Sequence, residues 1–253
     1  MQKYTFKSGF TTNFEYIKQD SSKKSPFTIL YLHGLCSDPW GKKPEAVKKY
    51  AEDNGIDFLR FELAGHGSDI KSFENTDMYI WKAQVLELID NLIETPIVLV
   101  GSSIGGWLSL LAAKERPNRT VGLVGLAAAP DFMLPMYENL FSDAQKKELE
   151  GTGKTSFGNK DFAYIFTKRL IESGIENMVL NHRELKIDCP VFLIHGTEDA
   201  SIPYQHAFSI ANKLTSKNVT IKIRKGSNHR LNADEDIFEI LTSLDWFKKT
   251  VGK

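Results

Sequence analysis

The chain has 253 residues, 42% of them hydrophobic, enough for one α/β domain with a sizeable core. Lys plus Arg and Asp plus Glu both total 32, so the formal net charge is zero and no global field invites nucleic acid. No apolar run reaches the roughly 20 residues of a membrane span, which excludes stable membrane insertion through a helix of that kind.

The first 25 residues are polar, contain no arginine and lack the apolar core of a signal peptide, so the expected compartment is the cytoplasm. Residues 27–32 read as a buried strand that runs into His33-Gly34-Leu35-Cys36. Residues 44–54 read as a helix, and 57–63 as the next strand. Ala64-Gly65-His66-Gly67-Ser68 then forms a tight loop at the sheet edge. It lacks the Gly-Lys-Ser/Thr of a phosphate-cradling loop. A helix over 79–92 precedes the apolar strand Pro96-Ile97-Val98-Leu99-Val100, and a further helix covers 106–114. Another strand-like run covers 122–130 and ends at Asp131.

From 131 to 186 no clear strand is visible, and two stretches, 143–149 and 161–172, look helical. This segment reads as a small helical cap inserted into a core of residues 1–130 and 187–253. Phe132, Met133, Leu134, Met136, Tyr137, Leu140, Phe141 and Phe162 would pack the cap and line an apolar substrate pocket. The core resumes with a strand over 190–194, a helix over 204–214, an alternating strand over 219–224 and a helix over 235–248. Strands alternating with helices imply a mostly parallel sheet covered on both faces.

Between strand and helix lies Gly101-Ser102-Ser103-Ile104-Gly105, a Gly-x-Ser-x-Gly string in the context of a nucleophile elbow. The chemistry such an elbow supports needs a base, because a serine hydroxyl is a poor nucleophile at neutral pH. It also needs a carboxylate to orient that base. Both partners occur downstream, each just after a predicted strand, where ligands of open parallel sheets bind. They are Asp199 in Gly196-Thr197-Glu198-Asp199 and His229 in Ser227-Asn228-His229. The order serine, acid, histidine is that of an α/β-hydrolase triad. Glu198 and Asp131 stay open as rival acids. His182 and His206 are expected to face solvent, and His195 to be a hydrogen-bonded structural residue. Backbone N–H groups of Ile104 and Leu35 are the expected oxyanion donors, with His33 supporting the Leu35 loop. The two cysteines, Cys36 and Cys189, fit a reducing compartment and have no metal-ligand company, so neither a zinc site nor any organic cofactor is expected.

The elbow extended to Gly105-Gly106-Trp107, the run Gly125-Leu126-Ala127-Ala128-Ala129-Pro130-Asp131-Phe132, and Asn228-His229-Arg230-Leu231 are similar to one branch of the α/β-hydrolases. That branch is the tenth α/β-hydrolase-domain group, which includes mitochondrial palmitoyl-protein thioesterase, also called acyl-glucuronide esterase, and bacterial homologues. The similarity runs from about Ile29 to Trp246. It implies Ser103, Asp199 and His229 as a triad, and esterase or thioesterase activity on small-molecule or acyl-protein substrates. Without an obvious presequence, the chain looks like the bacterial form. Glu62-Leu63-Ala64 stands where the branch pattern reads Asp-Tyr-Ser before Gly-His-Gly, at what is expected to be the pocket rim. Two other classes share such a scaffold: a non-catalytic binding protein, and another cofactor-free enzyme such as a carbon–carbon bond hydrolase or perhydrolase.

Overall fold

The computed structural model describes residues 1–19, 25–158 and 163–251. The chain opens with an antiparallel pair, β1 (Gln2–Thr5) and β2 (Thr11–Ile17), then β3 (Thr28–Leu32), α1 (Lys42–Asp53) and β4 (Asp57–Phe61). A 3-10 stretch (Gly67–Asn75) leads to α2 (Met78–Asn91), β5 (Ile97–Ser102), α3 (Ile104–Glu115) and β6 (Thr120–Leu126). An inserted segment holds α4 (Met133–Asn139), α5 (Asp143–Thr152), β7 (Lys154–Gly158), β8 (Ala163–Thr167) and α6 (Lys168–Glu176). The core closes with β9 (Val191–Gly196), α7 (Gln205–Lys213), β10 (Val219–Arg224) and α8 (Asp234–Val251).

The main sheet has the order β1-β2-β4-β3-β5-β6-β9-β10, parallel from β4 to β10 and antiparallel at the β1-β2 edge. Successive strand residues point to opposite faces, so one sequence feeds two cores. Leu30, Leu32, Leu99 and Phe61 pack with Trp81 and Val85 of α2 and Trp107 and Leu110 of α3. Ile29, Tyr31, Val98 and Val100 pack with Val47 of α1 and Leu244 and Phe247 of α8. Burial on both faces explains why the central strands read as unbroken apolar runs.

The expected parallel sheet and its helices are present, with three corrections. The β1-β2 pair adds two strands to those expected; in β2, Phe14 and Tyr16 alternate with Asn13 and Glu15 as a half-buried strand should. The second strand of the core stops at Phe61, two residues before its expected end. The inserted segment is not purely helical, because β7 and β8 form an antiparallel hairpin between α5 and α6. Within the stretch expected as a helix over 161–172, Ala163–Thr167 is a strand and the helix begins only at Lys168. Its aromatics serve the hairpin: Phe157 stacks on Phe141 at 4.8 Å, and Phe166 meets Phe73 of the 3-10 stretch at 5.7 Å. Phe162 lies outside the described residues.

Candidate active site

Ser103 joins β5 to α3 with φ 55° and ψ −118°, a conformation that costs a non-glycine residue about 1–3 kcal/mol. Its neighbours make the turn possible. A Cβ on Gly101 would lie 2.2 Å from the Gly105 carbonyl oxygen, and one on Gly105 would lie 2.2 Å from that of Leu32. One on Gly106 would meet the Ala128 methyl at 2.6 Å, so α3 can press against β5 and β6 only with glycine there. Backbone hydrogen bonds hold the strained residue: the Ser103 amide donates to Leu126, and the Ser103 carbonyl accepts from Gly106 and Ala129.

Above this turn the side chains of three segments converge. His229 Nε2 lies 3.1 Å from Ser103 Oγ, and His229 Nδ1 lies 2.7 Å from Asp199 Oδ2. An ionised carboxylate only accepts, so Nδ1 carries the proton and Nε2 is left with a lone pair towards the serine hydroxyl. The Asp199 side chain is buried, although its backbone is partly exposed. Burial by itself raises its carboxyl, but the Ile202 amide, His229 and the Ser201 amide together hold it below the ordinary value. A second imidazole reaches the same oxygen, with His195 Nε2 2.9 Å from Asp199 Oδ2 and 3.0 Å from the Ile202 carbonyl. Both of these groups accept, so Nε2 of His195 carries a proton and donates. Burial pushes the His195 pKa down, which keeps it neutral. The sequence signal for it is the histidine of the His-Gly pair at the end of β9, four residues before the acid.

The rival acids go elsewhere. Glu198 is exposed, while the Asp131 carboxylate accepts the Val179 and Leu180 amides at 2.8 and 2.7 Å. Asp131 therefore pins the chain leaving α6 to the end of β6, and burial lifts its carboxyl above the ordinary value despite those two amides. Trp107 does the same from α3, since its indole N–H donates to the Asn177 carbonyl at 3.1 Å. His182 is exposed as expected. His206 is not free in solvent: it is half-buried, and its Nε2 lies 2.8 Å from the Pro130 carbonyl, which ties α7 to the chain leaving β6.

Ser103 and His229 open onto a cavity of about 450 Å³ whose wall includes Gly34, Leu35, Cys36, Lys43 and Arg230. The loop after β3 passes directly over the serine, because a Cβ on Gly34 would sit 3.5 Å from that of Ser103. His33 holds this loop. Its Nε2 accepts the Leu63 amide at 3.0 Å, which leaves the proton on Nδ1 to donate to the Gly34 carbonyl at 2.8 Å. Ile104 is the first residue of α3, where a backbone N–H has no helical partner. Cys36 has its thiol pushed up to about 12 by burial, so it is no competing nucleophile near neutral pH.

Two expectations about the pocket are corrected. Among the described residues no cap side chain lines the cavity. Met133, Met136 and Phe141 are instead buried in the cap's own packing, and Leu140 is exposed. Nor do residues 62–67 reach the cavity wall. Glu62 turns away to accept from Trp40 Nε1 at 3.0 Å and Ser68 Oγ at 2.6 Å.

Comparison with known proteins places this geometry. The prolyl oligopeptidase family model matches residues 92–253, a span containing the elbow, the acid loop and the histidine loop. The mitochondrial palmitoyl-protein thioesterase ABHD10 of Rattus norvegicus is 32% identical over 220 residues, covering 86% of this chain and 73% of that protein. The chain belongs to the α/β-hydrolase family, as a homologue of ABHD10. Within the family, the structure of mouse alpha/beta hydrolase domain-containing protein 10 superposes with a TM-score of 0.86 at 27% identity, over 99% of this chain and 98% of that one. Est1E from Butyrivibrio proteoclasticus, solved with ferulic acid bound, shares the fold with a TM-score of 0.82 at 17% identity, over the full length of both chains. An α/β-hydrolase fold thus extends across the described chain.

Proposed function

We propose that this α/β-hydrolase is a serine enzyme that cleaves carboxylic esters or thioesters through an acyl-enzyme. Ser103 Oγ attacks the acyl carbon while His229 Nε2 takes its proton. The oxyanion that forms is held by the backbone N–H groups of Leu35 and Ile104, at the positive end of α3. Asp199 keeps His229 oriented and stabilises the imidazolium. The proton then passes to the departing alcohol or thiol, and His229 activates a water that releases the acid and restores Ser103. The observation that carries this reading is the relay from Ser103 Oγ through His229 to Asp199, at 3.1 and 2.7 Å, on a strained turn that opens onto a cavity. Homology to a thioesterase supports the acyl chemistry.

The test compares wild-type protein and Ser103→Ala with p-nitrophenyl esters of increasing chain length, an acyl thioester and a fluorophosphonate probe. Turnover is expected to fall by about 10⁴-fold or more in the variant, with labelling abolished and the melting temperature little changed. Retained turnover or labelling in Ser103→Ala would refute the assignment. A folded wild-type protein that neither reacts nor labels would instead be a binding protein on this scaffold.

A further inference from the structure

The catalytic cavity holds a cation that the proposed hydrolysis does not use. Lys43, at the start of α1, is 9% exposed and stands on the same cavity wall as Ser103. One of its three Nζ donors goes to the Arg230 carbonyl, and no carboxylate pairs with it among the described residues. The acid in its surroundings is Asp236, which is occupied by Ser227 Oγ at 2.5 Å and the Ala233 amide at 3.0 Å. Burial lowers the Lys43 pKa to about 8, Asp236 partly restores it and Arg230 opposes it, so the side chain is still mainly charged at neutral pH. A buried charge without a counter-ion is costly unless something else compensates it.

The surrounding wall has the same polarity. Arg230, one residue beyond His229, is exposed, and its guanidinium has no ion-pair partner among the described residues. The first turn of α1 joins the wall at Gly41, Lys42, Lys43 and Pro44; Pro44 has no N–H and the Glu45 amide donates to the Gly41 carbonyl, so the free amides are those of Lys42 and Lys43, which N-cap Gly41 has no side chain to satisfy. Lys42 is already paired with Asp234 at 2.7 Å, and Asp38, an acid on the wall, accepts the Trp40 amide at 2.8 Å. What is left unspent is an ammonium, a guanidinium and a helix N-terminus, all on a cavity shared with the nucleophile.

We propose that Lys43, Arg230 and the first turn of α1 form an anion subsite, so that the substrate carries a carboxylate or phosphate in addition to its ester or thioester bond. The inference rests on the serine-hydrolase reading for where the scissile bond lies. Fixed N–H donors and a helix dipole favour an anionic oxygen over a neutral group. A Lys43 that only propped up the histidine loop through the Arg230 carbonyl would affect all esters alike.

Two ester pairs separate these roles, each rate being divided by its hydroxide-catalysed rate. p-Nitrophenyl valerate against mono-p-nitrophenyl glutarate places the charge on the acyl part. Methyl 4-acetoxybenzoate against 4-acetoxybenzoate places it on the leaving group. In wild-type protein at least one anionic ester is expected to exceed its neutral partner in kcat/KM by about tenfold or more. That ratio falls towards one in Lys43→Met and in Arg230→Gln, the second being a surface change that folding tolerates. Competition by glutarate against inorganic phosphate tells which anion fits better. Ratios at or below one for both pairs in wild-type protein, or ratios kept in both variants, overturn the subsite. If no ester is turned over, the hydrolase reading has failed, and calorimetry with glutarate and phosphate decides the subsite alone. Binding that is lost in Lys43→Met sustains it, and no binding to wild-type protein ends it.

Discussion

Acidification from pH 7 to pH 5 should destabilise this protein by about 2 kcal/mol through His33 alone. The ring is 1% exposed, and its two partners leave it neutral, because the Leu63 amide needs an acceptor at Nε2 and the Gly34 carbonyl needs a donor at Nδ1. Burial pushes its pKa from 6.5 down to about 4. Between those values the unfolded chain binds a proton that the native state refuses, so stability falls as the pH falls. The contribution is complete above 6.5 and is lost on the way down to about 4. At pH 5 about one and a half pH units of linkage have accumulated, at ~1.36 kcal/mol each. His66, packed 5.1 Å away and pushed down to about 3 by burial and by His33, acts in the same direction. The assay is urea unfolding at pH 7, 6 and 5 for wild type and His33→Gln, whose amide can accept from Leu63 but does not titrate. The variant should lose stability over this interval by about 2 kcal/mol less than wild type. Equal slopes in the two proteins, or a His33 ring that titrates near 6.5 by NMR, would refute the reasoning.

The other consequences are more local. His195→Phe removes one donor from the Asp199 carboxylate and should lower kcat by about tenfold to a hundredfold with little change in KM. His195→Gln should recover part of the loss, whereas equal losses in kcat and thermal stability for both variants would make the residue merely structural. Gly101→Ala should destabilise by about 3 kcal/mol or more, since its methyl would overlap the Gly105 carbonyl and the backbone has nowhere to go; a thermal melt within a degree or two of wild type would contradict the packing described. Asp131→Ala strands the Val179 and Leu180 amides and should cost about 2 kcal/mol or more in stability while sparing the chemical step. Loss of turnover in a stable Asp131→Ala protein would reinstate it as a rival acid.

The parts legible in the sequence are those where local pattern and chemistry coincide. Short, β-branched apolar runs such as Pro96-Ile97-Val98-Leu99-Val100, bounded by a glycine turn, read as strands buried on both faces, and the glycines around Ser103 announce a turn too tight for side chains. Chain order then points to His229 and to an acid in the loop after β9, Asp199 or its neighbour Glu198, without excluding Asp131. The hairpin of β7 and β8 is hidden because five-residue strands with mixed composition carry little periodicity, and their aromatics pair with Phe73, distant in sequence, and with Phe141, in the connection between α4 and α5. The cap aromatics could not be divided between core and pocket for the same reason.

Composition, period and order therefore determined the parallel α/β core, the tight serine turn and its histidine, and narrowed the acid to Asp199, Glu198 and Asp131; the contacts of the folded chain chose Asp199. Tertiary structure alone decided that Asp199 takes a second imidazole, that Asp131 is a latch, and that Lys43 is left without a counter-ion beside Ser103. Those outcomes depend on which polar atoms meet once apolar faces have closed: the Asp131 and Lys43 partners lie 48 and 187 residues away and leave no local trace in the chain, while His195, only four residues from Asp199, turns towards it only because β9 and its loop fold that way.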